Sequence, residues 1–335
     1  MLVQERIWRG QGKSYHRVLP EALALTQRSC TAELQRVITD FGLDHSFAKG
    51  AKKLREHYGF DLPVSSIRNY TECNAKRIAE ESAQQESDSN RLPADGVEKL
   101  IGETDGSMIA FVHFKGTKAD TRKNRKVEYR EVRLCATQAS GSERTIYRAG
   151  IDSPEKIGQL WKCCAKEAGR GVNSFVHTVG DGATWIEQQA RNELGADRVL
   201  LDFYHLCEYL KAAEQSCSGN SRWFATQKNR LKRNRSDLVI EELTSHLEPE
   251  HLPDCDAPVR CAHRYMTNRP DQLDYQGTIK QELPIGSGLI ESGHKHVIQA
   301  RMKIAGAAWD KENAQAIIKT RARRESGVWE EFWNN

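Results

Sequence analysis

The sequence predicts an α/β protein: a mixed five-stranded sheet with an all-helical insertion late in the chain, preceded by a helical region. Three observations carry this. Apolar residues recur at helical spacing from about residue 20 to 82. From residue 96 the pattern turns to β-rich runs, three in succession and then two that alternate with helices. From about 204 to 250 the chain is charged and helical, and 251–284 carries several prolines and little periodicity.

The first region, 1–82, reads as helices. LPEALALTQRSCTAELQRVITDF is periodic at helical spacing, and SFAKGAKKLREHYGF follows, with Ser46 placed to cap it. After a turn marked by Asp61 and Pro63 comes IRNYTECNAKRIAEE, with Ser65 or Ser66 as its cap and Ile67, Tyr70 and Ile78 toward a core. Helix, short turn and a second helix with polar and basic residues make a helix-turn-helix-like pattern, which would bring Ser66, Arg68, Asn69 and Lys76 to DNA. A plain helical hairpin fits the same residues. Residues 83–95, polar and ending near Pro93, read as a linker.

In the 96–335 region, LIGETDGSMIAFVHF, KVEYREVRLCATQ and SERTIYRAGI read as an antiparallel meander, with the basic segment KGTKADTRKNRK between the first two. Helix SPEKIGQLWKCCAKEAG, strand SFVHTVGD, helix ATWIEQQARNEL and strand DRVLLDF come next, and such alternation argues for strands added in parallel. The insertion, about 206–284, contains RWFATQKNRLKRNRSDLVIEELTSHL and then a proline-bearing stretch of little periodicity. Trp223 and Phe224 are placed to anchor it to the sheet. A helix over about 289–304 is capped by Ser287, with Gly286 and Gly288 allowing the turn into it, and a last one runs from about Lys311 to Arg324.

The 335 residues carry a net charge of only +4, but lysine and arginine cluster while the acidic residues are spread out. No stretch approaches the roughly 20 apolar residues of a membrane span, and the first residues have no apolar secretory core. Nine cysteines with no CxxC pair fit reduced thiols in a cytoplasmic chain. Cys255, Cys261 and His263, with His246 and His251 upstream, match no common zinc spacing, so loop cysteines and surface histidines are the favoured reading.

Three carboxylates hold the chemical interest. Asp105 sits in the first strand, Asp181 ends the fourth, and Glu291 lies in the first turn or so of a late helix. If the first and fourth strands are neighbours, the aspartates lie side by side and a helix across the sheet brings the glutamate over them. Hard carboxylate oxygens suit Mg²⁺, and two ions about 4 Å apart can hold both the attacking and the leaving oxygen of a phosphoryl displacement. Singly, each residue has an ordinary explanation: a turn, a cap, or a charge near a helix start. Their joint placement is the argument.

GDGATWI, LDFYHLCEYL and GSGLIESGHKHVIQARMKIAGAAW resemble signature blocks of bacterial insertion-sequence transposases, the ISKra type, related to the Mutator-like superfamily. The resemblance covers roughly residues 45–324. It implies an RNase H-like catalytic domain whose DDE motif is Asp105, Asp181 and Glu291, each a metal ligand for two Mg²⁺ (or Mn²⁺) ions per site, with helices inserted between the second Asp and the Glu. It also implies DNA transposition and recombination on terminal inverted repeats and target DNA of a mobile element, a homo-oligomer in a synaptic complex, and a cytoplasmic, nucleoid-associated location. Asp202 and His205 match a C/D-x2-H motif of that superfamily and imply support of the site. The stretch before the helices is shorter than is usual in the family, which implies that part of the DNA-binding end is missing.

Around Glu291, helical spacing places His294 and Lys295 on the same face, and Arg301 continues a basic face. Trp309 has two readings, a stacking platform for an unpaired base or a core residue. Lys228, Arg230, Lys232, Arg233 and Arg235 form the densest basic run and Arg321, Arg323 and Arg324 another, both suited to phosphate neutralisation. The alternatives are an RNase H-like nuclease or resolvase, and a transposon-derived DNA-binding regulator without catalysis.

Overall fold

The computed structural model describes residues 8–9, 15–16, 30–86, 91–114, 125–218 and 222–334. The helical reading of residues 20–29, part of the linker and most of the basic segment after the first strand lie outside them.

The centre is a five-stranded mixed sheet: β1 Lys99–Phe114, β2 Arg125–Ala139, β3 Thr145–Gly150, β4 Phe175–Gly180 and β5 Arg198–Leu201, in the spatial order β3-β2-β1-β4-β5. β1 to β3 are an antiparallel meander, while β4 joins β1 and β5 joins β4 in parallel. This is the RNase H-like arrangement. Strand alternation sorts the side chains of β1. Glu103, Asp105, Ile109 and Phe111 share one face, paired across β2 with Ala136, Leu134, Arg130 and Glu128. On the opposite face of the sheet α4 (Pro154–Glu167) lies over β1, β2 and β3 and α5 (Thr184–Asn192) over β4 and β5. Trp161 of α4 is fully buried against Gly102 and donates to the Ala136 carbonyl.

The N-terminal helices are α1 Ala32–Asp44, α2 Phe47–Tyr58 and α3 Val64–Glu86. Ser46 caps α2 by accepting from the Lys49 amide, and Gly59 ends it in the left-handed region, which an L side chain rarely adopts. Ile38, Leu54 and Ile67 form a small core of their own. Ser65 and Ser66 are not caps, because α3 begins at Val64. These helices also pack on the last helix, α12 (Lys311–Glu325), where Thr320 donates to the Ala75 carbonyl.

That contact corrects the reading of Arg321, Arg323 and Arg324 as phosphate ligands. Arg321 pairs with Asp44 and donates to the Leu43 and Val297 carbonyls, Arg323 pairs with Glu167, and Arg324 pairs with Asp40 and Asp44. All three guanidinium groups are turned inward: Arg321 and Arg324 join α12 to α1, and Arg323 joins it to α4.

The insertion contains α6 Phe203–Cys217, α7 Trp223–Lys232, α8 Ser236–Thr244, α9 Pro258–Thr267 and α10 Tyr275–Lys280. Its core is continuous with the ends of β4 and β5: Val179, Leu200 and Leu201 pack in one cluster with Leu210, Trp223, Val259 and Tyr275. Trp223 is therefore interior to that shared core, with its indole N–H donated to Glu242.

The expected helix over 289–304 is broken into three. α11 spans Gly288–Gly293, a π-helical stretch spans His294–Gln299, and a short α-helical piece spans Ala300–Met302. Ile290, Gly293, His294, Val297 and Ile298 are buried on one side of the segment, while Glu291 stays exposed. Gly293 lets α11 lie against the sheet, since a β-carbon there would be 2.7 Å from the Tyr147 ring and 2.8 Å from Leu134.

Candidate functional site

β1 pairs in parallel with β4 from Lys99↔Phe175 to Glu103↔Val179. Continued by two residues, that register sets Asp105 beside Asp181, at the ends where the parallel strands point. The chain leaves β4 through Gly182, at φ +84°, where a β-carbon would be 2.7 Å from Leu201. Glycine lets Asp181 turn back over the sheet edge. Asp202 ends β5 and starts α6, and α11 crosses above with Glu291 in its first turn.

The result is a cleft of about 210 Å³ lined by Asp105, Asp181 and Glu291 together with Asp202 and Glu208, His205, Tyr204 and Ser287. Five of its lining side chains are acidic and none is lysine or arginine. The three carboxylates expected from the sequence, far apart along the chain, therefore face one space.

Their hydrogen bonds differ. Asp105 Oδ1 accepts from the Gly106 amide, and its Oδ2 lies 3.4 Å from His294 Nε2. Asp181 Oδ1 accepts from the Ala183 amide at 2.9 Å. The Asp181 carbonyl accepts from the Tyr265 hydroxyl and the Gly182 carbonyl from Arg269 Nε, so the insertion holds this turn by its backbone and leaves the carboxylate to the cleft. Among the described residues no cation pairs with Asp181 or Glu291.

Asp202 is differently employed. Its Oδ1 accepts from the Tyr204 and His205 amides and caps α6, while its Oδ2 accepts from the Ser287 amide and hydroxyl. The sequence assigned Ser287 as a cap, but its hydroxyl donates to Asp202 instead and caps nothing. His205 is half-buried beside Glu208, edge-on to Tyr209 and Tyr265.

The other expected residues divide between the cleft and elsewhere. Lys295 is exposed and outside the lining; His294, expected on the same face, is buried with its ring at Asp105. Arg301 is buried between the rings of Phe47 and Trp309, with Nε donated to the Gly42 carbonyl. Burial lowers its pKa to about 10. Trp309 is buried too, bridging to Phe111 and donating to the Met302 carbonyl, so its core reading holds and it offers no stacking face.

In the basic run, Arg230 pairs with Glu242 and Arg235 with Asp237, while Lys228 lies over Phe224 and Lys232 over Phe203. Arg233 is exposed. Arg68 and Lys76 are exposed on α3, with Ser66 and Asn69 partly so.

Sequence reasoning missed Glu103. It precedes Asp105 by one strand repeat, on the same face, and is fully buried under α11. Its Oε2 accepts from the Ile290 amide at 2.8 Å, and among the described residues its Oε1 has no hydrogen-bond partner. Burial pushes its pKa up to about 8; the Ile290 and Leu289 amides oppose the rise, and Asp202 and Glu291 add to it. An acidic residue in phase with Asp105 inside an apolar strand is the signal that marks it.

The donor set suits a hard divalent cation: carboxylate oxygens facing one cleft, with no competing lysine or arginine in its lining. Among the described residues, no three histidine, cysteine or carboxylate side chains are gathered tightly enough to hold an ion as they stand. That includes Cys255, Cys261 and His263. No described helix is long and apolar enough to cross a membrane.

No family model matches the sequence, and no curated protein is similar to it. Among solved structures, the Drosophila P element transposase strand transfer complex matches with 12% identity over 95% of this chain and 84% of that one, at a TM-score of 0.32. The crystal structure of NurA matches with 14% identity over 81% and 65%, at a TM-score of 0.14, and the same protein with manganese gives the same figures. Likenesses this loose carry no argument about activity.

Proposed function

We propose that this chain is a DDE transposase that cuts and joins DNA by metal-dependent phosphoryl transfer, in an element of the ISKra type. The observation that carries the reading is the cleft where Asp105, Asp181 and Glu291 converge from β1, the end of β4 and α11, with five carboxylates and no cationic side chain in its lining. A polyanion is repelled from such a cleft until bound cations reverse its charge, so these carboxylates suit a substrate that arrives with divalent metal.

In this reading Asp105, Asp181 and Glu291 hold two Mg²⁺ or Mn²⁺ ions. When bound, the ions supply the charge that activates a water or 3′-hydroxyl and stabilises the leaving 3′-oxyanion. The protein's own groups do the placing. The sheet fixes Asp105 and Asp181 side by side, and α11 carries Glu291 over them. Tyr265 and Arg269 hold the turn behind Asp181, and His205 at the cleft wall faces the incoming phosphate. DNA would run across Lys228, Lys232, Arg233 and Arg235, with Arg230 braced by Glu242, while Ser66, Arg68, Asn69 and Lys76 contact a flanking segment. On this account residues 1–82 are the DNA-binding region, 83–95 the linker and 96–335 the catalytic domain with its insertion. Terminal inverted repeats are brought together by a homo-oligomer of this chain, acting on the nucleoid in the cytoplasm.

The test is cleavage of labelled element-end DNA with Mg²⁺ or Mn²⁺ by the wild type and by Asp181→Ala and Glu291→Gln. The wild type is expected to nick at the element end only with metal. Each variant should lose about a hundredfold or more of the rate. Metal-dependent cleavage that survives Asp181→Ala would remove the proposed site.

A further inference from the structure

α11 is six residues long and begins without a side-chain cap of its own. Its first amides must still find acceptors, because orphan N–H groups at a helix start are costly when buried. Two acidic side chains from other elements supply them. From below, Glu103 Oε2 on β1 accepts from the Ile290 amide at 2.8 Å. From the side, Asp202 Oδ2 at the end of β5 accepts from the Ser287 amide at 2.8 Å and from the Ser287 hydroxyl. Ser287 and Ile290 bracket the turn that delivers Glu291. Glu103 is completely buried and Asp202 nearly so. Burying a carboxyl is costly unless it is hydrogen-bonded, and neither residue is needed to fill an apolar core. Leucine would serve that purpose at position 103. The two strands they come from are those that flank β4, whose end carries Asp181.

We propose that Glu103 and Asp202 are positioning residues that clamp the start of α11 and so fix the distance of Glu291 from Asp105 and Asp181. This rests on the reading of the cleft as a metal site. Glu103 does not line the cleft, so it acts through the helix rather than by touching an ion. Asp202 lines it but has both oxygens engaged with amides and a hydroxyl. A loosened clamp lets Glu291 drift, and a site built from three separate elements loses affinity for its ions when one ligand is out of place.

The experiment is Mn²⁺ binding by calorimetry on the full chain without DNA, for the wild type, Asp181→Ala, Glu103→Leu, Glu103→Gln and Ser287→Ala. Thermal unfolding is recorded for each. Glu103→Leu keeps the volume and removes the acceptor, so its dissociation constant for Mn²⁺ should rise about tenfold or more. Glu103→Gln keeps a carbonyl for the Ile290 amide and should stay within about threefold of wild type. Ser287→Ala, at a half-exposed position, removes one bond to Asp202 and should weaken binding about threefold. It carries the test if Glu103→Leu does not fold.

A purely structural role would lower the unfolding temperature and leave Mn²⁺ affinity of the folded protein unchanged, and that result would overturn the clamp. So would equal losses in Glu103→Gln and Glu103→Leu. Wild type that binds Mn²⁺, with affinity lost in Asp181→Ala but intact in Glu103→Leu and Ser287→Ala, would sink the clamp alone. A wild type that binds no Mn²⁺ would sink the metal-site reading and the clamp with it.

Discussion

Gly293→Ala would test how closely α11 must lie on the sheet. A β-carbon at this position would stand 2.7 Å and 3.2 Å from two carbons of the Tyr147 ring and 2.8 Å from Leu134 Cδ2. Leu134 is fully buried and Tyr147 nearly so, which leaves neither much room to retreat. Overpacking of this kind costs about 1–3 kcal/mol. Alanine in place of glycine inside a helix returns about 1 kcal/mol, so the net loss of stability is small, about 0–2 kcal/mol. The larger effect is geometric. Relief comes most cheaply by lifting α11 away from the sheet, and Glu291 sits two residues before Gly293. A displacement of about 1 Å at a catalytic group costs about a hundredfold in rate. The assay pairs urea unfolding with metal-dependent cleavage of element-end DNA. The expected result is a slight shift of the unfolding midpoint with cleavage down about a hundredfold. Wild-type cleavage by a stably folded Gly293→Ala protein would refute the claim that the contact of α11 with the sheet sets the site.

Three further outcomes follow from the same packing. Glu167 receives Arg148 and Arg323, both with guanidinium groups almost fully buried, and joins α4, β3 and α12. Burial disfavours its charge, yet the two arginines outweigh that and hold its pKa below the usual range. Glu167→Ala strands those cations and should cost about 3–5 kcal/mol in denaturant unfolding. His177 on β4 is fully buried and donates from Nε2 to the Pro284 carbonyl, and burial depresses its pKa to about 4. Its folded value lies below its ordinary value of 6.5, so its contribution is present above pH 6.5 and is lost as the pH falls toward 4. Stability should drop over that interval by up to about 3 kcal/mol, and His177→Asn should flatten the slope. Arg321→Ala removes the guanidinium that donates to the Leu43 and Val297 carbonyls and pairs with Asp44. A loss of about 3 kcal/mol is expected, with DNA affinity unchanged in a binding assay.

The sheet was legible because β-rich runs and helical runs alternate cleanly, and handedness and connection rules leave few ways to join them. Asp105 and Asp181 fall side by side only if the first and fourth strands are neighbours; the alternation of strands and helices suggested that order without fixing it, and the parallel pairing of β1 with β4 supplies both order and register. Glu291 could be placed only on a helix that crosses the sheet. The π turn after Gly293 was not legible, because the sequence HKHVIQ has no local signal for an extra residue per turn. Arg301, read as part of a basic face, falls in phase with Ile290, His294 and Val297 on the buried side of the segment, and turns inward onto Phe47 and Trp309. Arg321, Arg323 and Arg324 misled for a related reason. A run of cations looks the same in sequence whether it meets phosphate or buried carboxylates, and here Asp40, Asp44 and Glu167 come from helices far away in the chain. Glu103 was overlooked although its phase with Asp105 was visible, because a lone acidic residue in a strand suggests an exposed face until a covering helix is known.

The most direct measurement is anomalous diffraction from crystals of the protein bound to element-end DNA and soaked in Mn²⁺. The account predicts two peaks, about 4 Å apart, between the carboxylates of Asp105, Asp181 and Glu291. Peaks confined to other carboxylates, with Glu291 turned out of the cleft, would contradict it.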